Sequence, residues 1–128
     1  MREFPAAELH AFIVSVVTSL GSTGDEPRLV AQQLVRANLC GHDSHGIGML
    51  PSYVDGVAGG RLTLNAEPES VVDTGPLLVL DGRRGFGQVM GHRAMIMAIE
   101  RTRRFGVSLV GLRNSFHIGR IGHWGEQA

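Results

Sequence analysis

The chain has 128 residues, with 12 Lys or Arg against 12 Asp or Glu, so its formal net charge at neutral pH is zero. The length fits one domain of ordinary apolar content, and the zero charge argues against a nucleic-acid or membrane partner. The single cysteine, Cys40, cannot form an internal disulfide, which favours a reducing, cytoplasmic location.

The two ends of the sequence carry no targeting segment that we can identify. The first apolar run, residues 12–20, is too short to span a membrane, and it is preceded by Glu3, Glu8 and His10, whereas the start of a secretory signal should be basic. The last six residues, 123–128, have the pattern of the first turns of a helix without a stop signal. We therefore expect a truncated chain.

The first half of the chain is predicted to be helical. Apolar side chains over residues 5–20 recur at the i, i+3 and i+4 spacing of one helix face. A second helix is expected after Asp25, a suitable N-cap, and a third between Gly46 and Gly59. The predicted buried positions of the first two helices are Leu9, Phe12, Ile13, Val16, Val17, Leu20, Leu29, Val30, Gln33, Leu34 and Ala37.

The pattern changes near residue 69, where runs typical of strands begin. The predicted elements are strands at 70–73, 77–81 and 107–112, the last of them buried, and a helix at 85–105. We therefore expect an α/β fold. It would have an N-terminal helical segment over residues 1–68 and the start of an α/β cofactor-binding domain over residues 69–128.

Two histidine-bearing segments carry most of the chemical information. The first is Gly41-His42-Asp43-Ser44-His45-Gly46, and the second is Asn114-Ser115-Phe116-His117-Ile118-Gly119-Arg120-Ile121-Gly122-His123. Imidazoles titrate near neutral pH, which suits proton transfer or metal binding. Because His45 and His117 lie in polar, glycine-flanked loops rather than on apolar helix faces, we predict that both belong to one active site.

The residues alone leave several roles open. Ser44 either orients the neighbouring imidazole or caps a helix, and no Gly-x-Ser-x-Gly elbow marks it as a nucleophile. Arg120 either meets an anionic group of a cofactor or substrate or is solvated. His42 and His45 have a spacing that helical metal ligands can use, but their glycine-flanked arrangement is not a recognised metal motif.

The segment Gly85-Phe86-Gly87-Gln88-Val89-Met90-Gly91 follows a strand and opens a helix, as a dinucleotide-binding turn does. Its Gly-x-Gly-x-x-x-Gly spacing is looser than the fingerprint. The next strand also ends at Leu112-Arg113 without an acidic residue for a ribose. Glycines that only allow the backbone to turn are the commoner case, and we do not predict a Rossmann site here.

The two histidine segments, with Leu50-Pro51-Ser52-Tyr53 between them, resemble the malate/L-lactate dehydrogenase family of NAD(P)-dependent 2-hydroxyacid oxidoreductases. Within this family the resemblance is greatest to the hydroxycarboxylate dehydrogenase B branch. The segments that carry it are 46–53, 80–82, 86–89 and 117–122. The resemblance covers nearly the whole chain. It implies a non-Rossmann fold, a homodimer, and that the chain corresponds only to the N-terminal part of a family member.

The resemblance also implies roles for individual residues. Ser44 and His45 match the serine–histidine proton-relay pair of the family, and His45 would also lie near the nicotinamide. His117 matches the histidine of the Asn-Ser-x-His motif, an acid/base in some members. The cofactor-contacting loop is matched by Gly119, Arg120 and Ile121.

Two features depart from the family pattern. Met49 stands where many members carry an arginine that binds the substrate carboxylate, which indicates a larger or more apolar substrate. Family members are also more than twice as long. We therefore expect most of the cofactor site, and the carboxylate partner of the relay, to lie outside these residues.

We therefore expect an NAD(P)-dependent oxidoreductase that interconverts a 2-hydroxy acid and a 2-oxo acid. Hydride transfer would involve NAD or NADP, and Ser44, His45 and His117 would serve proton transfer without a metal. The first alternative is a truncated, non-catalytic remnant that folds or dimerises without turnover. The second is a metal-dependent hydrolase.

Overall fold

The computed structural model describes residues 3–128. Its elements in chain order are α1 (Ala6–Ser19), α2 (Glu26–Leu39), two single 3₁₀ turns (Asp43–His45 and Ile47–Met49), α3 (Leu50–Ala58), β1 (Glu69–Asp73), β2 (Leu77–Asp81), α4 (Gly87–Phe105), β3 (Leu109–Arg113) and α5 (Gly122–Gln127). Three helices precede the first strand, and a small sheet with α4 follows, so the predicted α/β fold class is confirmed. Within residues 3–128, no helix is long and apolar enough to cross a membrane.

The first two helices pack against each other through their predicted apolar faces. Ile13 and Val17 of α1 are fully buried, and all five of the positions predicted for α2 are buried. Phe12 was predicted to join them, but 54% of its surface is exposed. That prediction was wrong because the buried stripe of α1 is narrower than its apolar sequence pattern.

The start of α2 differs from its predicted capping. Asp25 occupies the N-cap position but makes no side-chain hydrogen bond to the helix. Its carboxylate instead lies 3.6 Å from the guanidinium of Arg93 on α4. The buried carboxylate of Glu26 accepts a 2.7 Å hydrogen bond from Ser22 and a 2.9 Å bond from the backbone of Asn65. Contacts from distant elements therefore replace the local cap.

The sheet has three strands in the order β1-β2-β3. β1 is antiparallel to β2, and β2 is parallel to β3, with α4 as the connection between them. β3 is the edge of the described sheet. Leu109 at its start is 69% exposed, so the predicted burial of this strand was wrong here. The apolar composition predicted burial, whereas within residues 3–128 β3 pairs only with β2 and lies at the edge of the sheet.

The main hydrophobic core joins the helices to the start of α4. Side chains of α1, α2 and α3 pack there with Phe86, Val89 and Met90. A smaller cluster of Leu78, Leu80 and Ala94 lies between the sheet and α4. The main core thus contains side chains from both sides of residue 68, and the division into segments 1–68 and 69–128 stays a prediction.

Candidate active site

The first histidine segment is held by the last turn of α2. The amide of Asn38 donates a 2.6 Å hydrogen bond to Asp43 Oδ1, and its oxygen accepts a 2.8 Å bond from the backbone N–H of Ile47. The two bonds tie both 3₁₀ turns to the helix. Sequence reasoning missed Asn38. The available signal was a polar side chain close before the motif, at the end of an apolar helix.

Ser44 and His45 form a pair within the first 3₁₀ turn. The hydroxyl oxygen of Ser44 lies 2.9 Å from Nδ1 of His45. Ser44 is inside the turn rather than at its N-cap, and Met49 is the N-cap of α3. The helix-cap alternative for Ser44 is therefore wrong, and the hydroxyl has the placement of a group that orients the imidazole.

His117 lies in the loop after β3, which packs directly on the start of α4. The backbone N–H of Phe116 donates a 2.9 Å hydrogen bond to the carbonyl of Gly85. A β-carbon at Gly87 would collide with the carbonyl oxygens of Phe116 and His117, so only glycine allows this approach. The glycines therefore serve packing, because the loop covers the helix N-terminus that a dinucleotide phosphate would need.

The structure brings His45 and His117 together from two separate loops. The ring centroids are 5.4 Å apart, with 31° between the ring planes. Burial lowers the pKa of His117 below its usual value of 6.5, and repulsion from the charge of His45 lowers this pKa further. At neutral pH His117 is therefore an uncharged imidazole. A pair of this kind can hold and move a proton beside a bound molecule.

A second hydrogen-bonded pair supports His117 from the core. The Tyr53 hydroxyl on α3 lies 2.9 Å from Nδ1 of His117, and the Gln88 amide on α4 donates to the same hydroxyl. Both side chains are fully buried, and burial raises the pKa of Tyr53 to about 12. Sequence reasoning gave neither residue a role. The signal was a lone tyrosine and a glutamine, each predicted to lie within helices that pack on the core.

The three residues of the loop predicted to contact a cofactor differ in their exposure. Gly119 is buried with a left-handed φ of 76°, and Ile121 is exposed. The Arg120 side chain is only 12% exposed and donates a 2.6 Å hydrogen bond to Glu126. A solvated Arg120, one of the two alternatives, is therefore wrong. Contact of this loop with a cofactor stays a prediction.

Met49 stands at the position where the family resemblance implies a carboxylate-binding arginine, so an apolar side chain occupies that position. Met49 is half-buried and packs against the main hydrophobic core. It lies one helical turn before Tyr53, at the entry to α3. The position therefore presents no cation to a substrate carboxylate.

The metal alternative has little geometric support. Within residues 3–128, no group of three or more His, Cys, Asp or Glu side chains is placed to hold a metal ion. His42 turns its Nδ1 to the backbone carbonyl of Cys40 at 2.9 Å, and Asp43 accepts the hydrogen bond of Asn38. His42 Nδ1 and Asp43 Oδ1 thus already have hydrogen-bond partners, whereas Nε2 of His45 has none within residues 3–128.

Two imidazoles from separate loops thus lie 5.4 Å apart beside a small mixed sheet. Residues 4–128 match the sequence profile described as malate/L-lactate dehydrogenase, and the chain belongs to this family. The family expected from the two histidine segments is thereby confirmed.

Similar proteins agree in sequence and in structure. The hydroxycarboxylate dehydrogenase B of Escherichia coli K12 is 50% identical over 98% of this chain, and a malate dehydrogenase of Pyrococcus abyssi is 40% identical over 97%. The malate dehydrogenase structure from Pyrococcus horikoshii OT3 superposes with a TM-score of 0.95 at 36% identity. The superposition covers 99% of this chain and 36% of that one. The chain spans 35% and 34% of the length of the first two relatives.

Proposed function

We propose that Ser44, His45 and His117 form the proton-transfer part of an active site that interconverts a 2-hydroxy acid and a 2-oxo acid with NAD or NADP. The observation that carries the proposal is the 5.4 Å approach of the two imidazoles from separate loops. Similar proteins include malate, L-lactate and L-sulfolactate dehydrogenases, and this supports the substrate class because malate, lactate and sulfolactate are all 2-hydroxy acids.

The side chains present suit the proton-transfer end of such a site. A bound nicotinamide supplies or accepts the hydride, and the protein must move one proton at the substrate oxygen. Within the described chain, no hydrogen bond occupies Nε2 of His45 or of His117, so each atom is free to meet that oxygen. Ser44 holds the His45 ring through Nδ1 and thereby directs Nε2 away from the turn.

The cofactor and the substrate would be bound by neighbouring residues. Gly119, Arg120 and Ile121 directly follow the His117 segment, and we propose that this loop touches the cofactor. The buried Nε of Arg120 has no hydrogen-bond partner within residues 3–128, which leaves one donor for a bound group. Met49 favours a substrate with an apolar side chain, because it offers hydrocarbon where many relatives offer a guanidinium.

The environment of the protein is also part of the proposal. We propose a cytoplasmic enzyme that acts on a small 2-hydroxy or 2-oxo acid as a homodimer. The single cysteine, Cys40, is exposed and unpaired, as is common in reducing compartments. Sedimentation of the purified chain over a range of concentrations measures the dimer directly, and a monomer at every concentration would contradict it.

The proposed activity is tested with the purified chain. Titration with NADH and with NADPH, followed by nicotinamide fluorescence, measures cofactor binding and the preference between them. Turnover is then followed as loss of nicotinamide absorbance with pyruvate, oxaloacetate and a bulky aromatic 2-oxo acid. We expect binding of one cofactor and turnover that a chelator leaves unchanged. Turnover that a chelator abolishes would contradict the proposed metal-free proton transfer.

The second candidate is a non-catalytic chain that folds or dimerises without turnover. The chain spans 35% of the length of the hydroxycarboxylate dehydrogenase B that it matches. Circular dichroism and thermal melting establish whether the chain is folded. A folded chain that neither binds NADH or NADPH nor turns over any of the three acids would support the remnant and contradict the proposed activity.

A further inference from the structure

A buried chain of hydrogen bonds leads from the core to the candidate site. Gln88 Nε2 on α4 donates to the Tyr53 hydroxyl on α3, which lies 2.9 Å from Nδ1 of His117. Gln88 and Tyr53 have no exposed surface, whereas His117, the last residue of this series of hydrogen bonds, is half-buried. Three separate elements therefore converge on one face of this imidazole, while its Nε2 stays free of hydrogen bonds within residues 3–128.

The orientation of the Gln88 side-chain amide sets the direction of these hydrogen bonds. With Nε2 toward the hydroxyl, the Tyr53 oxygen accepts from Gln88 and its own hydrogen points to His117, while Gln88 Oε1 has no hydrogen-bond partner within residues 3–128. Because burial raises the pKa of Tyr53 to about 12, the hydroxyl keeps that hydrogen at neutral pH. Nδ1 of His117 must then be an acceptor without a proton. In an uncharged imidazole the remaining hydrogen is on Nε2.

The neighbouring imidazole, His45, has a hydrogen-bond partner that does not fix its tautomer. Within residues 3–128 the hydrogen-bond partner of His45 Nδ1 is the Ser44 hydroxyl, which can donate or accept and therefore fixes neither tautomer of His45. Two imidazoles with centroids 5.4 Å apart do not readily both carry charge. Burial and the charge of His45 both lower the pKa of His117, so the charged form of His117 is disfavoured and the transferable proton is left to His45.

We propose that Gln88 and Tyr53 are positioning residues that fix His117 as a neutral Nε2–H hydrogen-bond donor and leave proton transfer itself to His45. The inference rests on the proposed function. In the reduction direction a bound reduced nicotinamide would supply a hydride to the carbonyl carbon, and the carbonyl π electrons would move to oxygen. The oxygen takes the Nε2 proton of a charged His45, while the Nε2–H of His117 stabilises it without breaking.

The tautomer of His117 is measured directly by long-range proton–nitrogen NMR on the ¹⁵N-labelled chain at pH 8. We expect Nε2 of His117 to be protonated and Nδ1 to be an unprotonated acceptor. Protonated Nδ1 would overturn the proposal, since the hydrogen bonds would then run from His117 toward Gln88. This measurement needs neither cofactor nor turnover. It therefore decides the inference even if the proposed dehydrogenase activity fails.

Two variants test whether Gln88 and Tyr53 cause this state. Tyr53→Phe and Gln88→Met keep the apolar bulk of the side chains, and Gln32→Met on the exposed face of α2 is the matched control. Removing the hydroxyl takes away a bond that favours neutral His117. Tyr53→Phe should therefore mix the two tautomers and raise the pKa of His117. Gln88→Met should mix the tautomers in part, and Gln32→Met should change neither quantity.

Kinetic measurements distinguish the positioning role of Tyr53 from a purely structural one. In the turnover assay, Tyr53→Phe should lower kcat by about tenfold with little change in KM for the cofactor. The acidic limb of its pH profile should shift as the His117 pKa does. A folded Tyr53→Phe chain, shown by an unchanged circular dichroism spectrum, that still holds His117 purely as Nε2–H would contradict the assigned role.

Discussion

The side-chain amide of Asn38 occupies the space that a β-carbon at Gly46 would need. Asn38 lies in the last turn of α2 and Gly46 is the last residue of the histidine motif, so the helix and the motif pack directly against each other. In this position the amide reaches both Asp43 and the backbone of Ile47. Gly46 is thus required because the Asn38 side chain, which holds the loop, occupies the space beside it; this space is not available to a ligand.

A double-mutant cycle measures this relationship. Asn38→Ala removes two hydrogen bonds and should lower the free energy of unfolding by about 1–3 kcal/mol. Gly46→Ala should cost at least as much, because its methyl group displaces the same amide. In the Asn38→Ala background the methyl group has room, so the double variant should cost clearly less than the sum. Urea denaturation followed by circular dichroism gives the three values.

Gly48→Ala is the matched control for this cycle. It lies in the second 3₁₀ turn, and the nearest atom to an added β-carbon is the carbonyl oxygen of Asp43 at 3.9 Å. We expect its unfolding free energy to stay close to that of the original chain. Equal losses for Gly48→Ala and Gly46→Ala, or strict additivity in the cycle, would contradict the proposed role of Asn38.

The order of the elements could be predicted from sequence, whereas several contacts could not. Apolar periodicity and glycine stops are local features, and they located every helix and strand to within a few residues. The failed cap at Asp25 and the exposed Leu109 depend on partners far along the chain. Arg93 competes for the carboxylate, and β3 pairs only with β2 within residues 3–128.

For the candidate site, the two histidines could be predicted from the sequence, whereas the residues that support them could not. His45 and His117 stood out because imidazoles in glycine-flanked loops are uncommon as core residues. Tyr53 and Gln88 did not, because each resembles an ordinary helix position until α3 and α4 pack together. Their polar atoms become significant only when burial leaves them no water to bond. The geometry of folded elements, rather than residue type, therefore identifies the supporting residues.

Removal of either imidazole should affect turnover more than binding. His45→Ala and His117→Ala should each lower kcat by about 100-fold or more, while the affinity for NADH or NADPH changes little. The double variant should lose much less than the product of the two losses, because both groups act on one substrate oxygen. His10→Ala on α1 is the control and should keep full activity. Loss of folding in His45→Ala would show that His45 is structural.

The stability of the chain should decrease as the solution becomes mildly acidic. The pKa of His117 is lowered on folding, first by burial and then by the charge of His45, and the pKa of His123 is lowered as well. The unfolded chain therefore binds more protons than the folded chain. Stability is complete above the unfolded pKa of 6.5 and is lost as the pH falls through the folded values.

Unfolding free energies measured between pH 8 and pH 5 test the sign of this dependence. His117→Gln should reduce the slope, and His123→Gln should remove a further part of it. His45→Gln should raise the pKa of His117 in an NMR titration, because it removes the repelling charge while burial remains. An unchanged His117 pKa in His45→Gln would show that the two rings do not interact as their 5.4 Å spacing implies.

A second pH dependence, in stronger acid, should come from Glu126. Its carboxylate lies 2.6 Å from Arg120 and 2.8 Å from Arg36 of α2, and these hydrogen bonds lower its pKa from 4.5 to about 2. Since the folded pKa lies below the unfolded one, this contribution is present above pH 4.5 and is lost as the pH falls toward 2. Glu126→Gln should therefore flatten the fall of stability in that window.

Glu100→Gln is the matched control for the Glu126 variant. Glu100 is an exposed carboxylate on α4 with no hydrogen bond or ion pair within residues 3–128, so its loss should leave the acid profile unchanged. The difference between the two variants should also shrink in 1 M salt, because the Arg36 and Glu126 side chains are about half exposed and salt screens their attraction. Identical profiles for Glu126→Gln and Glu100→Gln at low salt would show that the Arg36–Glu126–Arg120 contacts do not form in solution.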